Sequence, residues 1–291
     1  LTSQNRAKPT ALVELGVVDY LQALEMQREL VRRRQADEIP DTLLLLEHPP
    51  VITLGKNADR KNLLVSDAEL ARRGVELVKV ERGGDITFHG PGQIVGYPVF
   101  RLGARGTGRR QMSDVRCQMS EVADEGAKAG LVGVKRFVES VEKALVNALA
   151  ELGVRAEVRE KHVGVWVRDA GDRTKSEDIS QNPECRMRNE ETDRRVPSAS
   201  ESRPLESLTP GTLSYRKLAS IGIAVSRHVT FHGFALNVST DLSWFELMNP
   251  CGFPAAQMTS VQREGGNADM AAARRSVVRG LESVFGRAFA A

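Results

Sequence analysis

Apolar side chains change their repeat several times along the chain, and each change predicts an element. Val17, Tyr20, Leu21, Leu24 and Val31 share one side of a 3.6-residue period, broken by Gln27 and Arg28, which predicts a helix from Val17 to Arg34. Thr42-Leu43-Leu44-Leu45-Leu46 is too short for a typical helix and stops before His48-Pro49-Pro50, whose prolines impose extended or turned backbone. It reads as a strand, followed by a second one, Val51 to Leu54, that ends at Gly55. Ser66-Asp67-Ala68-Glu69 has capping-box spacing and Gly74 suits a left-handed stop, so a short helix is expected at 66–73. Val75, Leu77, Val78 and Val80 then read as a strand. The most regular stripe, Val134, Phe137, Val138, Val141, Leu145, Ala148 and Leu152, predicts a core-facing helix over 134–152 ending at Gly153. Beyond it Val154 to Val158, Gly164 to Val167, Leu218 to Val225 and Val229 to Val238 are β-rich, with helices expected at Asp241 to Met248 and about 269–286. The fold class expected is α/β, an α+β mixed sheet with flanking helices.

Two stretches break this order. About 103–131 is rich in Gly, Arg and Ser, and about 171–214 is dense in Arg, Glu, Asp, Ser and Pro. Neither has the apolar surface to offset the ~1–2 kcal/mol per residue of backbone ordering, so both are expected to be surface insertions in a single domain spanning 1–291. The whole chain is 41% hydrophobic and 27% charged, enough to build a core. Its net charge of +3 is too weak to argue for a nucleic-acid partner. The longest unbroken aliphatic run, Leu43 to Leu46, is far short of the roughly 20 residues that cross a bilayer, so no membrane association is expected. Leu1-Thr2-Ser3-Gln4-Asn5-Arg6 has neither a secretory apolar region nor an initiator Met, and the numbering is expected to start inside a longer reading frame. Three cysteines, Cys117, Cys185 and Cys251, are too few for a disulfide framework, which favours a reducing, cytoplasmic compartment.

Cys251 lies in Asn249-Pro250-Cys251-Gly252-Phe253, directly after an expected helix. Pro250 fixes the backbone on one side and Gly252 removes steric cover on the other, so a carbonyl could reach the thiol. A buried, inert thiol is the alternative. A nucleophilic cysteine needs a basic or cationic neighbour, because a free thiol is mostly protonated at neutral pH. Lys217, entering the apolar run Leu218-Ala219-Ser220-Ile221-Gly222, would be partly desolvated and suited to that task; the alternative is a strand-start lysine that reaches solvent. Thr87-Phe88-His89-Gly90 recurs as Thr230-Phe231-His232-Gly233, which suggests two similar turns facing one pocket. No His-x-x-x-His, Cys-x-x-Cys or Glu-x-x-His spacing occurs, so no metal site is expected. The turn at Arg82-Gly83-Gly84 offers amides and a guanidinium for an anion or a carbonyl, but it matches no phosphate-binding fingerprint.

Taken together, four ordered segments resemble the lipoyl(octanoyl) transferase family. They are Arg82-Gly83-Gly84-Asp85-Ile86-Thr87-Phe88-His89-Gly90-Pro91-Gly92-Gln93 with the following Val95-Gly96-Tyr97-Pro98, Lys217-Leu218-Ala219-Ser220-Ile221-Gly222, Phe231-His232-Gly233-Phe234-Ala235-Leu236-Asn237, and Asn249-Pro250-Cys251-Gly252. The resemblance runs from about residue 12 to 262, apart from the two insertions. It implies a catalytic domain like that of the biotin and lipoate protein ligases. It also implies that Cys251 is an acyl-thioester cysteine and Lys217 the lysine that lowers its pKa. Arg82, Gly83, Gly84, Asp85, Ile86, Thr87, Phe88 and His89, with Ser220, Ile221, Gly222, Gly233, Phe234 and Ala235, would line the acyl pocket. The implied reaction moves an octanoyl group from octanoyl-acyl carrier protein to a lysine of a lipoyl domain, on 2-oxoacid dehydrogenase E2 subunits or glycine cleavage H protein, as the first step of endogenous lipoylation. No cofactor is implied.

Two rival functions remain from the sequence. An ATP-dependent lipoate or biotin ligase would share the fold, although the chain has no biotin-ligase Gly-Arg-Gly loop. A non-catalytic binding module for acyl carrier protein and lipoyl domains would have no use for the Cys251 and Lys217 pair.

Overall fold

The computed structural model of the chain describes residues 10–102, 125–169, 215–250 and 253–290, with backbone alone at 125–132 and 256. The expected insertions at about 103–131 and 171–214, with Cys117, Cys185 and Cys251, fall largely or wholly outside the described residues.

Eight strands form one mixed sheet. In chain order they are β1 (Thr10–Val17), β2 (Thr42–Glu47), β6 (Gln93–Val99), β7 (Glu157–Arg159), β8 (His162–Arg168), β9 (Tyr215–Ser226), β10 (Val229–Asn237) and β11 (Phe289–Ala290), arranged β11-β1-β2-β6-β10-β9-β8-β7. The pairs β11–β1 and β1–β2 are parallel and the remainder antiparallel. A smaller sheet, ordered β4-β3-β5, joins β3 (Val51–Leu54), β4 (Glu76–Lys79) and β5 (Ile86–His89). Strand alternation assigns the faces. Leu43 and Leu45 pack with α3 (Glu125–Glu151) and α4 (Met270–Phe285), while Leu44 and Leu46 pack with Ala23 of α1 (Tyr20–Gln35) and with Val95, Tyr97 and Ala235. The small sheet has its own core, in which Ile52, Ile86 and Phe88 meet Phe245 and Met248.

Several boundaries differ from the sequence-based expectation for local reasons. The first helix begins at Tyr20 rather than Val17, because the Asp19 carboxylate caps the amides of Leu21 and Gln22 at 2.9 and 3.1 Å. Val17 instead ends β1, a strand the helical reading had absorbed. Helix α3 starts at Glu125, nine residues before the expected 134 and inside the stretch read as an insertion. At its other end Gly153 is left-handed at φ 82° and Val154 donates to the Leu149 carbonyl at 2.9 Å, which closes the helix and delays β7 to Glu157. The segment expected as a helix at Asp241 to Met248 is a 3-10 turn, Leu242–Leu247, capped by Asp241. Among the described residues no helix is long and apolar enough to cross a membrane.

Candidate active site

A cleft of about 400 Å³ opens between the α1 face of the large sheet and the Gly-rich turn that leads into β5. Most of the sequence-derived pocket set lines it: Arg82, Gly83, Gly84, Asp85, Thr87 and His89 from one side, and Ser220, Ile221, Gly222, Gly233, Phe234 and Ala235 from the other. Ile86 and Phe88 face away, as alternation along β5 requires, and Phe88 stacks on Trp244 at 5.5 Å. Sequence reasoning had not assigned Tyr20, Val95, Tyr97, Lys161, His162, Val163, His232 or Phe253 to the cleft. For His232 the signal was present: the two TFHG repeats do supply two imidazoles to one cleft.

The Gly-rich turn is held by its own charged residues. Arg82 Nε and Nη2 donate to Thr53 Oγ1 at 3.1 and 2.9 Å, Nη2 also donates to the Thr53 carbonyl at 2.8 Å, and Nη1 donates to the Gly83 carbonyl at 3.1 Å. The guanidinium thus fastens the turn to β3. Asp85 accepts from the Asp59 amide at 3.1 Å and from Asn62 Nδ2 at 2.5 Å. The Asn62 carbonyl in turn accepts from the Asn249 amide at 2.7 Å, so Asp85 braces, through Asn62, the chain that leads to Pro250.

At one end lies Lys217, only 4% exposed. Its Nζ stands 5.1 Å from the centroid of Trp166, the residue opposite it on β8, within cation–π range. The rings of His162 and Trp166 meet Phe253 edge-on at 5.2 and 5.4 Å. Phe253 also donates its amide to the Pro250 carbonyl at 3.0 Å, so both flanks of the Cys251-Gly252 dipeptide are defined and Phe253 lies in the same cleft lining as Lys217.

The opposite part of the cleft is a buried cluster of imidazoles and phenols. Tyr20 stacks on His89 at 5.9 Å and tilts against His48 at 5.1 Å. The Val18 carbonyl can only accept, so His48 Nδ1 donates to it at 2.7 Å and Nε2 accepts from the Tyr97 hydroxyl at 2.7 Å. His89 Nδ1 donates to Gln93 Oε1 at 2.8 Å, Gln93 Nε2 to Asn237 Oδ1 at 2.8 Å, and Asn237 Nδ2 to the Thr259 carbonyl at 3.0 Å. Burial lowers the imidazole pKa values to about 4 at His48, about 3 at His89 and about 4 at His232. These rings are therefore held neutral at physiological pH, with His89 and His232 in the cleft lining and His48 packed behind them. Burial also pushes the Tyr20 phenol up to about 12, against the nearby Arg82 charge. Among the described residues no group of three His, Cys, Asp or Glu side chains could hold a metal ion.

The α/β body with a largely apolar cleft between sheet and turn has the fold of solved lipoate protein ligases. A bipartite lipoate protein ligase of Thermoplasma acidophilum superposes with a TM-score of 0.58 at 12% identity, over 97% of this chain and 86% of that one. The family model of the lipoyl protein ligase A/B catalytic domain matches residues 19–130 and 122–282. The octanoyltransferase of Acidobacterium capsulatum is 37% identical over 278 residues, 96% of this chain and 89% of the relative. That of Koribacter versatilis is 38% identical over 255 residues, 88% of this chain and 75% of the relative. The chain belongs to the octanoyltransferases, acyltransferases of the lipoyl protein ligase A/B catalytic-domain family.

Proposed function

We propose that the protein moves an octanoyl group from octanoyl-acyl carrier protein to a lysine of a lipoyl domain through a thioester on Cys251. The observation that carries this reading is the burial of Lys217 in the cleft beside Phe253, two residues along the chain from Cys251. An ammonium there favours the thiolate form of a neighbouring cysteine. The thiolate adds to the octanoyl carbonyl, the phosphopantetheine sulfur leaves as a thiol by taking a proton from the Lys217 ammonium, and the acyl-enzyme remains with Lys217 as the free amine. The amine of the acceptor lysine then attacks that thioester, losing a proton to Lys217 as an amide forms and the Cys251 sulfur departs. Conversion of thioester to amide runs downhill, so the transfer needs no ATP, and ping-pong kinetics follow. The cleft supports the acyl chain with Val95, Ile221, Ala235 and the Tyr20 ring, and each buried methylene contributes ~0.8 kcal/mol. Acceptors on this reading are the lipoyl domains of 2-oxoacid dehydrogenase E2 subunits and glycine cleavage H protein, met in the cytoplasm.

The test is intact-mass analysis after mixing with octanoyl-acyl carrier protein. The expected result is one octanoyl adduct that maps to Cys251, is absent from Cys251→Ser, and is discharged by apo lipoyl domain without ATP. An adduct on another residue rejects the assignment, as does product formation that depends on octanoate and ATP.

A further inference from the structure

Helix α3 carries a carboxylate that the chemistry above leaves unused. Glu142 is 5% exposed, and its Oε1 accepts the Gly164 amide of β8 at 2.8 Å. Gly164 has φ +128°, and a Cβ added there would stand 2.5 Å from the Ala219 carbonyl oxygen, 2.7 Å from Lys217 Cε and 3.4 Å from Lys217 Nζ. The bare backbone at Gly164 is therefore the surface on which the Lys217 side chain lies. The strand register explains why that lysine points there. Val165 faces Ala219 and Trp166 faces Lys217, so β9 has one residue more than β8 across this step. Such a bulge re-aims side chains, and here Leu218 joins the α3–α4 core while Lys217 lies over Gly164 and Trp166.

We propose that Glu142 is a positioning residue for acyl transfer: its bond to Gly164 fixes the floor beneath Lys217, and its buried negative charge holds Lys217 as the ammonium. This rests on the Cys251 and Lys217 reading given above. A carboxylate withdrawn from water persists when a hydrogen bond and an opposite charge compensate it, and Gly164 and Lys217 supply them. Burial raises the Glu142 carboxyl, and the Gly164 amide and Lys217 act against that rise. Among the described residues, other titratable groups in this neighbourhood include Glu139, one turn earlier on α3, Arg159 of β7, whose guanidinium also lies 5.1 Å from the Trp166 centroid, and His162 on β8, which burial and the cations Arg159, Lys217 and Lys161 keep below the ordinary imidazole range.

The test is the pH dependence of single-turnover acylation of the full chain by octanoyl-acyl carrier protein, with thermal unfolding recorded in parallel. Glu142→Gln keeps the acceptor for Gly164 and removes the charge. Its alkaline limb, where Lys217 loses its proton, is expected to move to lower pH by about one unit with little change in Tm. Glu142→Asp keeps the charge but withdraws it by one methylene, and its limb is expected to move in the same direction by less. A profile that stays on the wild-type curve in both variants, while Lys217→Ala abolishes acylation, overturns the role of Glu142 and leaves the thioester reading standing. Wild-type acylation in Lys217→Ala overturns both.

Discussion

The Tyr97 hydroxyl is the sole donor to His48 Nε2 among the described residues, in a part of the cleft wall where His48 is fully buried. Tyr97→Phe leaves that nitrogen as an unsatisfied buried acceptor, so a loss of about 1–3 kcal/mol is expected, to be measured by urea unfolding. A midpoint equal to the wild type would show that the bond contributes nothing net. Individual residues were legible in the sequence where they stood in a motif. Lys217 and His89 were visible that way, and His232 was visible as the second half of a repeat. Tyr20 and Glu142 were not, since the importance of each depends on a partner distant in sequence: His89 for the first, Gly164 and Lys217 for the second. Arg82 was legible in part. Its charge suggested a ligand contact, and the structure adds a role that the motif did not show: the residue lines the cleft while its guanidinium donates to Thr53 and Gly83.

Helices α3 and α4 touch where Gly280 faces the backbone of Ala144. A Cβ added at Gly280 would fall 2.3 Å from the Ala144 carbonyl oxygen. Helix propensity favours Ala over Gly by about 1 kcal/mol, but overpacking against a backbone that cannot swing aside costs about 1–3 kcal/mol. The clash is expected to win, so Gly280→Ala should lower Tm in a calorimetric scan; a higher Tm would mean that the helices separate freely. Elements with an unbroken period were the readable ones: the expected helix at 269–286 corresponds to Met270–Phe285 and the expected strand at Val229 to Val238 to Val229–Asn237. Errors arose where a few residues do local work that hydrophobicity does not record. Asp19 sets the true start of α1, and Gly153 with Val154 closes α3 before β7 can begin. The Leu218 bulge is of the same kind, because only the partner strand defines it.

At the scale of the whole molecule, one sheet separates two environments. Its α3–α4 face is an apolar core, whereas its α1 face carries the cleft with His89 and His232 in the wall and His48 behind them. In His232 both ring nitrogens are buried without a hydrogen-bond partner in the described structure. All three imidazoles have folded-state pKa values far below the unfolded value near 6.5, so the unfolded chain binds more protons at mildly acidic pH. Their contribution to stability is therefore complete above about pH 6.5 and lost as pH falls toward about 4 for His48 and His232 and about 3 for His89. Each adds a slope of up to about 1.4 kcal/mol per pH unit in that window. Urea midpoints are expected to be level from pH 7 to 8 and to drop steeply between pH 6 and 4.5, with a shallower drop in His232→Gln; a level profile throughout would contradict the buried-neutral assignment. On the octanoyl-transfer reading, a hydrocarbon tail seated in this cleft would lie against His89 and His232 and favour their uncharged forms, so a loaded enzyme is expected to withstand souring to a lower pH than an empty one.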